Sequence, residues 1–485
     1  MLLALLLATL ASAREGCLTH AVRLAGPPVA RAGGEDDRPT SVDSVDSTLY
    51  PIRVHWSEEA DETVAIEQVL PAAELAWQVQ VEQMGWPPAA PDGELGGGVD
   101  LLDYYVTNEG TAGGAYTWGP MSDVVEGDDW FSVAAFMAVD PDIGADDMPT
   151  FVAHEFNHVL QYTIDGWEST FFVWESTAEA MEEFTVPESD LYFIDIRDFN
   201  ILPFASILFD GYSDEIEEYE PYSYYEYGGS IVGMYIEHAH GEWDGTTLRD
   251  LWLAMAQGDR LDEPDYLDAL TEIGGGSLQD TYLGLAEYRM FVYDDDDGAH
   301  YPEGGEWSAF SRLATEGELA LSTVDGTSVT PVDEPYDLGS SYWKIAVDDQ
   351  DRGELSFTLD GDDAVQWGLV VSAWPASGAA SVTRSWAAEG EPVAVTVGLD
   401  GATKLMVGVA NLGATDLDAQ GRHERRSFSL ALSRTVPEVS TGDSGEPSEK
   451  PEPEEDAGGC GCSAPVTPGA LGLLVAVAAL ARRRS

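Results

Sequence analysis

The residues of this chain whose types and spacing could do chemistry begin with two histidines, His154 and His158, in the segment HEFNH. Side chains four positions apart lie on one face of an α-helix, so both imidazole rings can bind one zinc ion. Glu155, between them, is placed to act on a water molecule that the zinc ion activates. The alternative interpretation is an amphipathic helix whose histidines are ordinary polar-face residues.

A catalytic zinc site needs a third protein ligand as well as one open position. Glu175 follows His158 by 17 residues, in the segment FVWESTAE. If this segment is a second helix, Glu179 lies one turn further along the same face. An exposed acidic helix face is the alternative, but the apolar residues around both glutamates argue against it.

The HExxH segment, a glutamate on a later helix and an acidic residue four positions further on together resemble the gluzincin metalloproteases. The resemblance implies His154, His158 and Glu175 as the zinc ligands. It also implies Glu155 as the general base, and Glu179 as a carboxylate that hydrogen-bonds to a zinc-binding histidine and orients it. Glu179 as the third ligand, in place of Glu175, is the main alternative.

The chemistry of such a site is hydrolysis. Zinc polarises the scissile carbonyl group and lowers the pKa of its water, while Glu155 accepts the proton and passes it to the leaving amine. A further donor is expected to stabilise the oxyanion. Four tyrosines and histidines of one later segment are candidates: Tyr225, Tyr227, His238 and His240. Each is also a candidate for the hydrophobic core, so the donor is left unassigned.

A closer similarity covers about residues 49–435 and points to a group of secreted bacterial metalloproteases that carry a trailing β-sandwich. It rests on the segments HEFNHVLQY, VWESTAEAMEEF, YEYGGSIVGMYIEHAHG and DDDDGAHYPEG, which match in order and approximate spacing. It implies an α+β fold, with a zincin-like metalloprotease domain followed by an antiparallel β-sandwich domain. The acidic run Asp294–Asp297 could hold a structural calcium ion, but a solvated turn is favoured because the 12-residue spacing of a calcium loop is lacking.

Periodicity and turn residues predict the elements that position these groups. A helix is expected over about residues 58–84, strands over 101–106 and 131–139, and a helix that starts near Asp147 and carries HEFNH. From about residue 317 to 434, short apolar runs alternate with Gly and Asp turns, as in a β-sandwich.

These elements divide the chain into expected domains. A signal peptide covers residues 1–13 and a linker or short pro-segment covers 14–48. The catalytic domain covers 49–316 and the β-sandwich domain 317–435. A disordered, acidic, Pro-rich stalk follows at 436–459, and a Cys-containing sorting or anchor segment at 460–485.

The ends of the chain indicate export and tethering at the cell envelope. The apolar run MLLALLLATLASA is typical of a signal peptide. The C-terminal Gly459–Cys462, followed by an apolar run and Arg482–Arg484, is similar to the sorting signals of myxobacteria-type surface proteins. A short membrane anchor is the alternative. Both interpretations place the protein at the bacterial cell surface or outside the cell.

The charge balance excludes one class of partner. The chain has 89 acidic and 22 basic residues, with a net charge of −67, which disfavours nucleic acid because phosphate binding depends on Lys and Arg. Solubility, including in high salt, is the favoured reason for this charge, with divalent cations or basic substrates as the alternative.

The sequence therefore predicts a secreted, surface-tethered zinc metalloendopeptidase that acts on a protein or peptide substrate. Two alternatives stay open. One is an inactive zincin-like adhesin or binding protein, and the other is a zinc hydrolase that acts on non-peptide substrates. The oligomeric state is not predicted.

Overall fold

A computed structural model describes residues 38–93, 95–119, 131–220, 223–256, 264–348, 351–413 and 423–436. The expected signal peptide, the anchor segment and nearly all of the stalk lie outside the described residues. The described chain combines helices with several antiparallel sheets, which confirms the mixed fold class. Within those ranges, no helix is both long and apolar enough to cross a membrane.

The first sheet has five strands in the order β1-β2-β3-β5-β4. Its strands are β1 (Asp43–Asp46), β2 (Ile52–Trp56), β3 (Leu102–Val106), β4 (Ala115–Trp118) and β5 (Phe136–Val139). Strands β2, β3 and β5 are parallel, whereas β1 and β4 run antiparallel at the two edges. Strand β1 begins before residue 49, so part of the expected linker forms a strand of this sheet.

Helix α1 is a continuous helical run that changes three times between α-helical and π-helical winding. It begins at Glu62–Val64, after Asp61, whose side chain accepts a hydrogen bond from Thr63 N. It continues as a π-helical segment at Ala65–Val69, an α-helical segment at Leu70–Ala76 and a second π-helical segment at Trp77–Gln83. The extra residue in a π-helical turn rotates the following side chains. The polar side chain of Gln80, in the second π-helical segment, is fully buried.

Helices α2 (Met148–Asp165) and α3 (Phe171–Thr185) form a pair joined by residues 166–170. Pro149 in the first turn of α2 has no N–H to leave unsatisfied there, which favours a helix start at this point. Almost every residue of both helices is buried, polar side chains included. Because buried polar groups need partners, the interior between α2 and α3 must contain a hydrogen-bonded network.

Further helices complete the part of the chain before residue 317. They are α4 (Ile196–Asn200), α5 (Asp214–Glu217), α6 (Tyr225–Gly228), α7 (Ser230–His240), α8 (Thr246–Met255), α9 (Tyr266–Gly274) and α10 (Leu278–Tyr288). Shorter helical turns lie at Leu95–Gly98, Leu191–Ile194, Tyr293–Asp295 and Ala309–Ser311. Helix α7 packs closely on α3, since a Cβ at Gly233 would lie 2.9 Å from Cβ of Ala180.

Two more sheets follow and pack face to face. One has the order β11-β10-β13-β8-β6 and the other the order β12-β9-β14-β7. The strands are β6 (Gly317–Ala320), β7 (Thr327–Val329), β8 (Ser340–Ala346), β9 (Glu354–Gly361), β10 (Trp367–Pro375), β11 (Ser381–Ala387), β12 (Val393–Gly398), β13 (Ala402–Asn411) and β14 (Phe428–Thr435). Apolar residues from both sheets form one hydrophobic cluster between them.

The second face of strands β10 and β13 packs against the helical part of the molecule. Val370 and Met406 belong to the large cluster that also contains the cores of the helices, whereas Leu369 and Val407 belong to the cluster between the two sheets. Neighbouring residues of a strand point to opposite faces, so both faces of these strands are buried. The helices and the paired sheets thus share a continuous apolar contact.

Candidate metal centre

Two neighbouring helices bring three potential ligand atoms together. Nε2 of His154 and Nε2 of His158, on helix α2, lie 3.1 Å apart. Oε2 of Glu175, on helix α3, lies 3.3 Å from the first nitrogen and 3.1 Å from the second. All three side chains are buried, and they form a group able to hold a metal ion.

The size of this triangle fits a zinc ion. Zinc binds histidine nitrogen at about 2.0–2.1 Å and carboxylate oxygen at about 2.0–2.2 Å, usually with tetrahedral geometry. The edge of such a tetrahedron is about 3.3–3.4 Å long. The observed separations, 3.1–3.3 Å, are within a few tenths of an ångström of this value.

The hydrogen bonding of the outer ring nitrogens determines what the inner ones offer. Nδ1 of His154 faces carboxylate oxygens, and Nδ1 of His158 lies 2.7 Å from Oε1 of Gln161. Each Nδ1 faces an acceptor, so it carries the proton of a neutral ring, and each Nε2 then presents a lone pair. This is the tautomer that a metal-binding histidine requires.

While the carboxyl group of Glu175 is ionised, no arrangement of protons makes all three inner contacts attractive. With both rings neutral, two lone pairs and a carboxylate oxygen face one another. A proton on one Nε2 improves its contact with Glu175, but the other nitrogen still faces the same oxygen. With protons on both, the two N–H groups of His154 and His158 oppose each other at 3.1 Å. A bound cation satisfies all three atoms together.

The charge of Glu175 also favours the binding of a cation at this site. Burial alone would raise the pKa of its carboxyl group, but the imidazole rings of His158 and His154 outweigh burial and hold the pKa well below its usual range. The electrostatic part of this effect comes from positively charged rings, and a bound cation would supply the same charge where both rings are neutral. The ionised carboxylate is a hydrogen-bond acceptor only. An ionised carboxylate and two neutral imidazoles are a common ligand set for zinc.

Two further carboxylates contact His154 from helix α3. Oε1 of Glu182 lies 2.9 Å from Nδ1 of His154, and Oε2 of Glu179 lies 3.2 Å from the same nitrogen. Burial and the neighbouring charge of Glu182 raise the pKa of Glu179 to about 8. Burial also raises the pKa of Glu182. A single proton shared by the two carboxyl groups would leave one net charge facing His154.

Glu155 lies on helix α2 directly after His154 and is fully buried. Its Oε2 lies 2.8 Å from Oγ1 of Thr117, which also lies 2.8 Å from the backbone oxygen of Glu155. Thr117 belongs to the edge strand β4, so the first sheet and the helix meet at the candidate base. The hydroxyl of Thr117 thus contacts both the backbone and the carboxylate of Glu155.

No family model and no curated protein sequence matches the chain. The solved structures similar to it include the pre-peptidase C-terminal domain of collagenase from Bacillus anthracis, which is 9% identical, with coverage of 25% of this chain and 98% of that one and a TM-score of 0.17. CorA, a surface-associated copper-binding protein of Methylomicrobium album BG8, is 8% identical, with coverage of 25% and 99% and a TM-score of 0.19. PliG of Aeromonas hydrophila, a periplasmic lysozyme inhibitor, is 15% identical, with coverage of 25% and 100% and a TM-score of 0.17. Scores this low support no conclusion about fold or function.

The four candidates for the oxyanion donor lie in different surroundings. The ring of Tyr227 lies against that of His154, with centroids 6.0 Å apart and planes 15° apart. Tyr225 donates a hydrogen bond to Ser206 O in the interior. His238 contacts Tyr288 OH, and His240 contacts Tyr235 OH. Among these four described residues, Tyr227 alone contacts a potential metal ligand.

The acidic run after helix α10 has partners within the protein. Asp295 contacts the ammonium groups of Lys344 and Lys404, and Asp294 contacts Arg312. The other two carboxylates accept hydrogen bonds from backbone N–H groups, and one of them also contacts His300. The expectation of a calcium ion remains untested, and cationic groups already neutralise part of this run.

Three residues that contact the site were not foreseen from the sequence: Thr117, Gln161 and Glu182. The spacing of Gln161 and Glu182 could have identified them, because Gln161 follows His158 by three positions and Glu182 follows Glu175 by seven. Both spacings place side chains on one helix face. Thr117 lies on a separate strand, and nothing in its local sequence relates it to Glu155.

Proposed function

We propose that this protein is an exported zinc metallopeptidase of the gluzincin type. In this proposal the helical part is a zincin-like domain, the two packed sheets form its trailing β-sandwich domain, and the C-terminal segment tethers the protein at the cell envelope. The substrate is a protein or peptide. The observation that carries the proposal is the buried triangle of His154, His158 and Glu175, whose three ligand atoms lie 3.1–3.3 Å apart, close to the separations expected around one zinc ion.

The first sheet supports the zincin-like part of this proposal. A mixed sheet with an antiparallel edge strand lies against helix α2, which holds both histidines. Thr117 of that edge strand contacts Glu155. The sheet and the helix therefore meet beside the candidate base.

The residues of the site have different roles in the proposed hydrolysis. His154, His158 and Glu175 would hold the zinc ion, which when bound polarises a carbonyl group and makes water more acidic. Glu155 accepts a proton on its carboxylate and later returns it to the leaving amine. Thr117 keeps that carboxylate oriented through Oε2.

The test combines metal analysis with an assay of cleavage. The full chain is expected to contain about one zinc ion and to cleave casein in a reaction that a chelator stops. Glu155→Gln should keep its zinc and lose cleavage, because the amide cannot accept the proton. Exposed Glu58→Gln is the matched control and should keep both properties.

Each other result contradicts a specific part of the proposal. Full cleavage by Glu155→Gln would exclude Glu155 as the base, and wild-type protein without zinc would exclude the metal site. Zinc with hydrolysis of esters but not of peptides would indicate a non-peptide hydrolase. Zinc with no hydrolysis at all would favour a surface-binding protein.

A further inference from the structure

Gln161 is a fully buried glutamine one turn after His158 on helix α2. Its Oε1 lies 2.7 Å from Nδ1 of His158. Its Nε2 lies 3.1 Å from the backbone oxygen of Trp174, 2.9 Å from Thr177 Oγ1 and 2.9 Å from Asn157 Oδ1. The amide of Gln161 thus connects the imidazole ring with helix α3.

These neighbours determine which way the amide of Gln161 points. The backbone oxygen of Trp174 can only accept a hydrogen bond, so the amide atom beside it must be the NH2 group. The other amide atom, which faces His158, is then the carbonyl oxygen. A carbonyl oxygen accepts only, so Nδ1 of His158 must be the donor, and in a neutral ring Nε2 then carries the lone pair.

The network extends from Gln161 to helix α1. Nδ2 of Asn157 donates a hydrogen bond to Oε1 of Gln80 at 3.1 Å. Nε2 of Gln80 lies 2.8 Å from the backbone oxygen of Ala153 and 3.1 Å from Thr185 Oγ1. Gln80 reaches the interior from the second π-helical segment of α1. The three amides are fully buried and link helices α1, α2 and α3.

We propose that Gln161 is a positioning residue for His158, and that Asn157 and Gln80 form with it a buried amide chain that fixes the metal-binding tautomer and orientation of that ring. The proposal rests on the proposed function, because it assumes that Nε2 of His158 binds a metal ion. The proposal gives a functional reason for burying three polar side chains. Burial of such groups is unfavourable unless they are hydrogen-bonded. Groups that orient a metal-binding histidine typically change metal affinity by about 10- to 100-fold when they are removed.

The test replaces Gln161 by an apolar residue of similar length and measures zinc affinity. Gln161→Met in the full chain should bind zinc about 10- to 100-fold more weakly than wild type, in competition with a chelator of known affinity. Asn411→Leu is the matched control, because Asn411 is an equally buried amide at the end of strand β13 whose side chain bonds to backbone groups. It should leave the zinc affinity unchanged.

A second measurement does not depend on metal. Nitrogen NMR of the histidine rings in chelator-treated wild-type protein should show His158 protonated at Nδ1, and Gln161→Met should show a mixture of tautomers. An unchanged zinc affinity in a folded Gln161→Met would overturn the proposal, and so would an unchanged tautomer. If Gln161→Met does not fold, the same measurements on Asn157→Leu replace it. Asn157→Leu should bind zinc severalfold more weakly than wild type. An unchanged zinc affinity of this variant would contradict the positioning role.

These results distinguish the two proposals from each other. Wild-type protein that binds no zinc contradicts the proposed function, whatever the tautomer of His158. Wild-type protein that binds zinc, with a Gln161→Met variant of equal affinity, contradicts the positioning role alone.

Discussion

The carboxylate of Glu182 lies 2.9 Å from Nδ1 of His154, nearer than the 3.2 Å that separates Glu179 from the same atom. The closer carboxylate should therefore contribute more to the orientation of the ring. We expect Glu182→Ala to weaken zinc binding by about 10- to 100-fold and Glu179→Ala to weaken it less. Titration of both metal-free variants with zinc checks this order, and the reverse order would contradict it.

The identity of the third ligand can be tested by removing each carboxylate in turn. Oε2 of Glu175 lies within 3.3 Å of Nε2 of both histidines, whereas Glu179 contacts the outer nitrogen of His154. Glu175→Ala should therefore abolish stoichiometric zinc binding, while Glu179→Ala should keep about one zinc ion per chain. Metal analysis of the purified variants provides the measurement. Loss of zinc only from Glu179→Ala would show that Glu179 is the ligand.

Thr117 should matter for catalysis without mattering for metal binding. Thr117→Val keeps the shape of the side chain but removes the hydroxyl 2.8 Å from Glu155 Oε2. A hydrogen bond to a charged group contributes about 1.5–3 kcal/mol, so kcat/KM should fall roughly 10- to 100-fold. Thr117→Ser keeps the hydroxyl and should lose much less. Equal activity of the Val and Ser variants, both with full zinc content, would show that this contact is unimportant.

The helix period explains how much of the candidate site could be predicted. His154 and His158 were predicted as a pair because a spacing of four residues places both side chains on one helix face, whereas Glu175 was predicted as the third ligand from the resemblance to the gluzincins. Glu182 also lies on the helix face of Glu175, seven positions later. An exposed acidic helix face has the same spacing, so the sequence alone did not identify Glu182 as a partner of His154. The link between Gln161 and Gln80 could not be predicted, since these residues are 81 positions apart and meet only through the packing of α1 on α2.

The fold, like the site, was predictable from the sequence only in part. The short apolar runs after residue 317 predicted antiparallel strands, and the structure confirms several antiparallel sheets. The contact between those sheets and the helices was not foreseen. Strand β10 is apolar on both faces, as in Leu369 and Val370, so it lacks the alternation that distinguishes a core face from a second interface. Only the packed structure shows that helices cover its other face.

A buried carboxyl group away from the metal ligands should make stability depend on pH. Burial, with the charges of Glu303 and Asp190, raises the pKa of Glu183 to about 8 from an ordinary value of 4.5. The folded state therefore holds a proton that the unfolded state releases, and stability falls as pH rises from about 4.5 to 8. Glu183→Gln should remove this loss and raise the free energy of unfolding at pH 8.5 by about 1–2 kcal/mol, after allowance for screening.

Denaturant unfolding at pH 5 and pH 8.5, with chelator present throughout, measures the effect of Glu183→Gln. The variant and wild type should differ little at pH 5, where the folded wild type is already protonated. Exposed Glu58→Gln is the control and should follow wild type at both values. A variant that is less stable than wild type at pH 8.5 would contradict the prediction.

The acidic run after α10 should stabilise the protein through its lysine partners and not through calcium. Asp295 contacts Lys344 and Lys404, two of the three lysines in the chain, and Lys404 also lies 4.0 Å from the ring centroid of Trp374. Because these groups are partly buried, Asp295→Asn should lower the free energy of unfolding by about 1–3 kcal/mol. Asp294→Asn, at an exposed ion pair, should lower it by less than about 1 kcal/mol. Added calcium should leave the melting temperature of wild type unchanged, and a rise that Asp295→Asn abolishes would instead identify a calcium site.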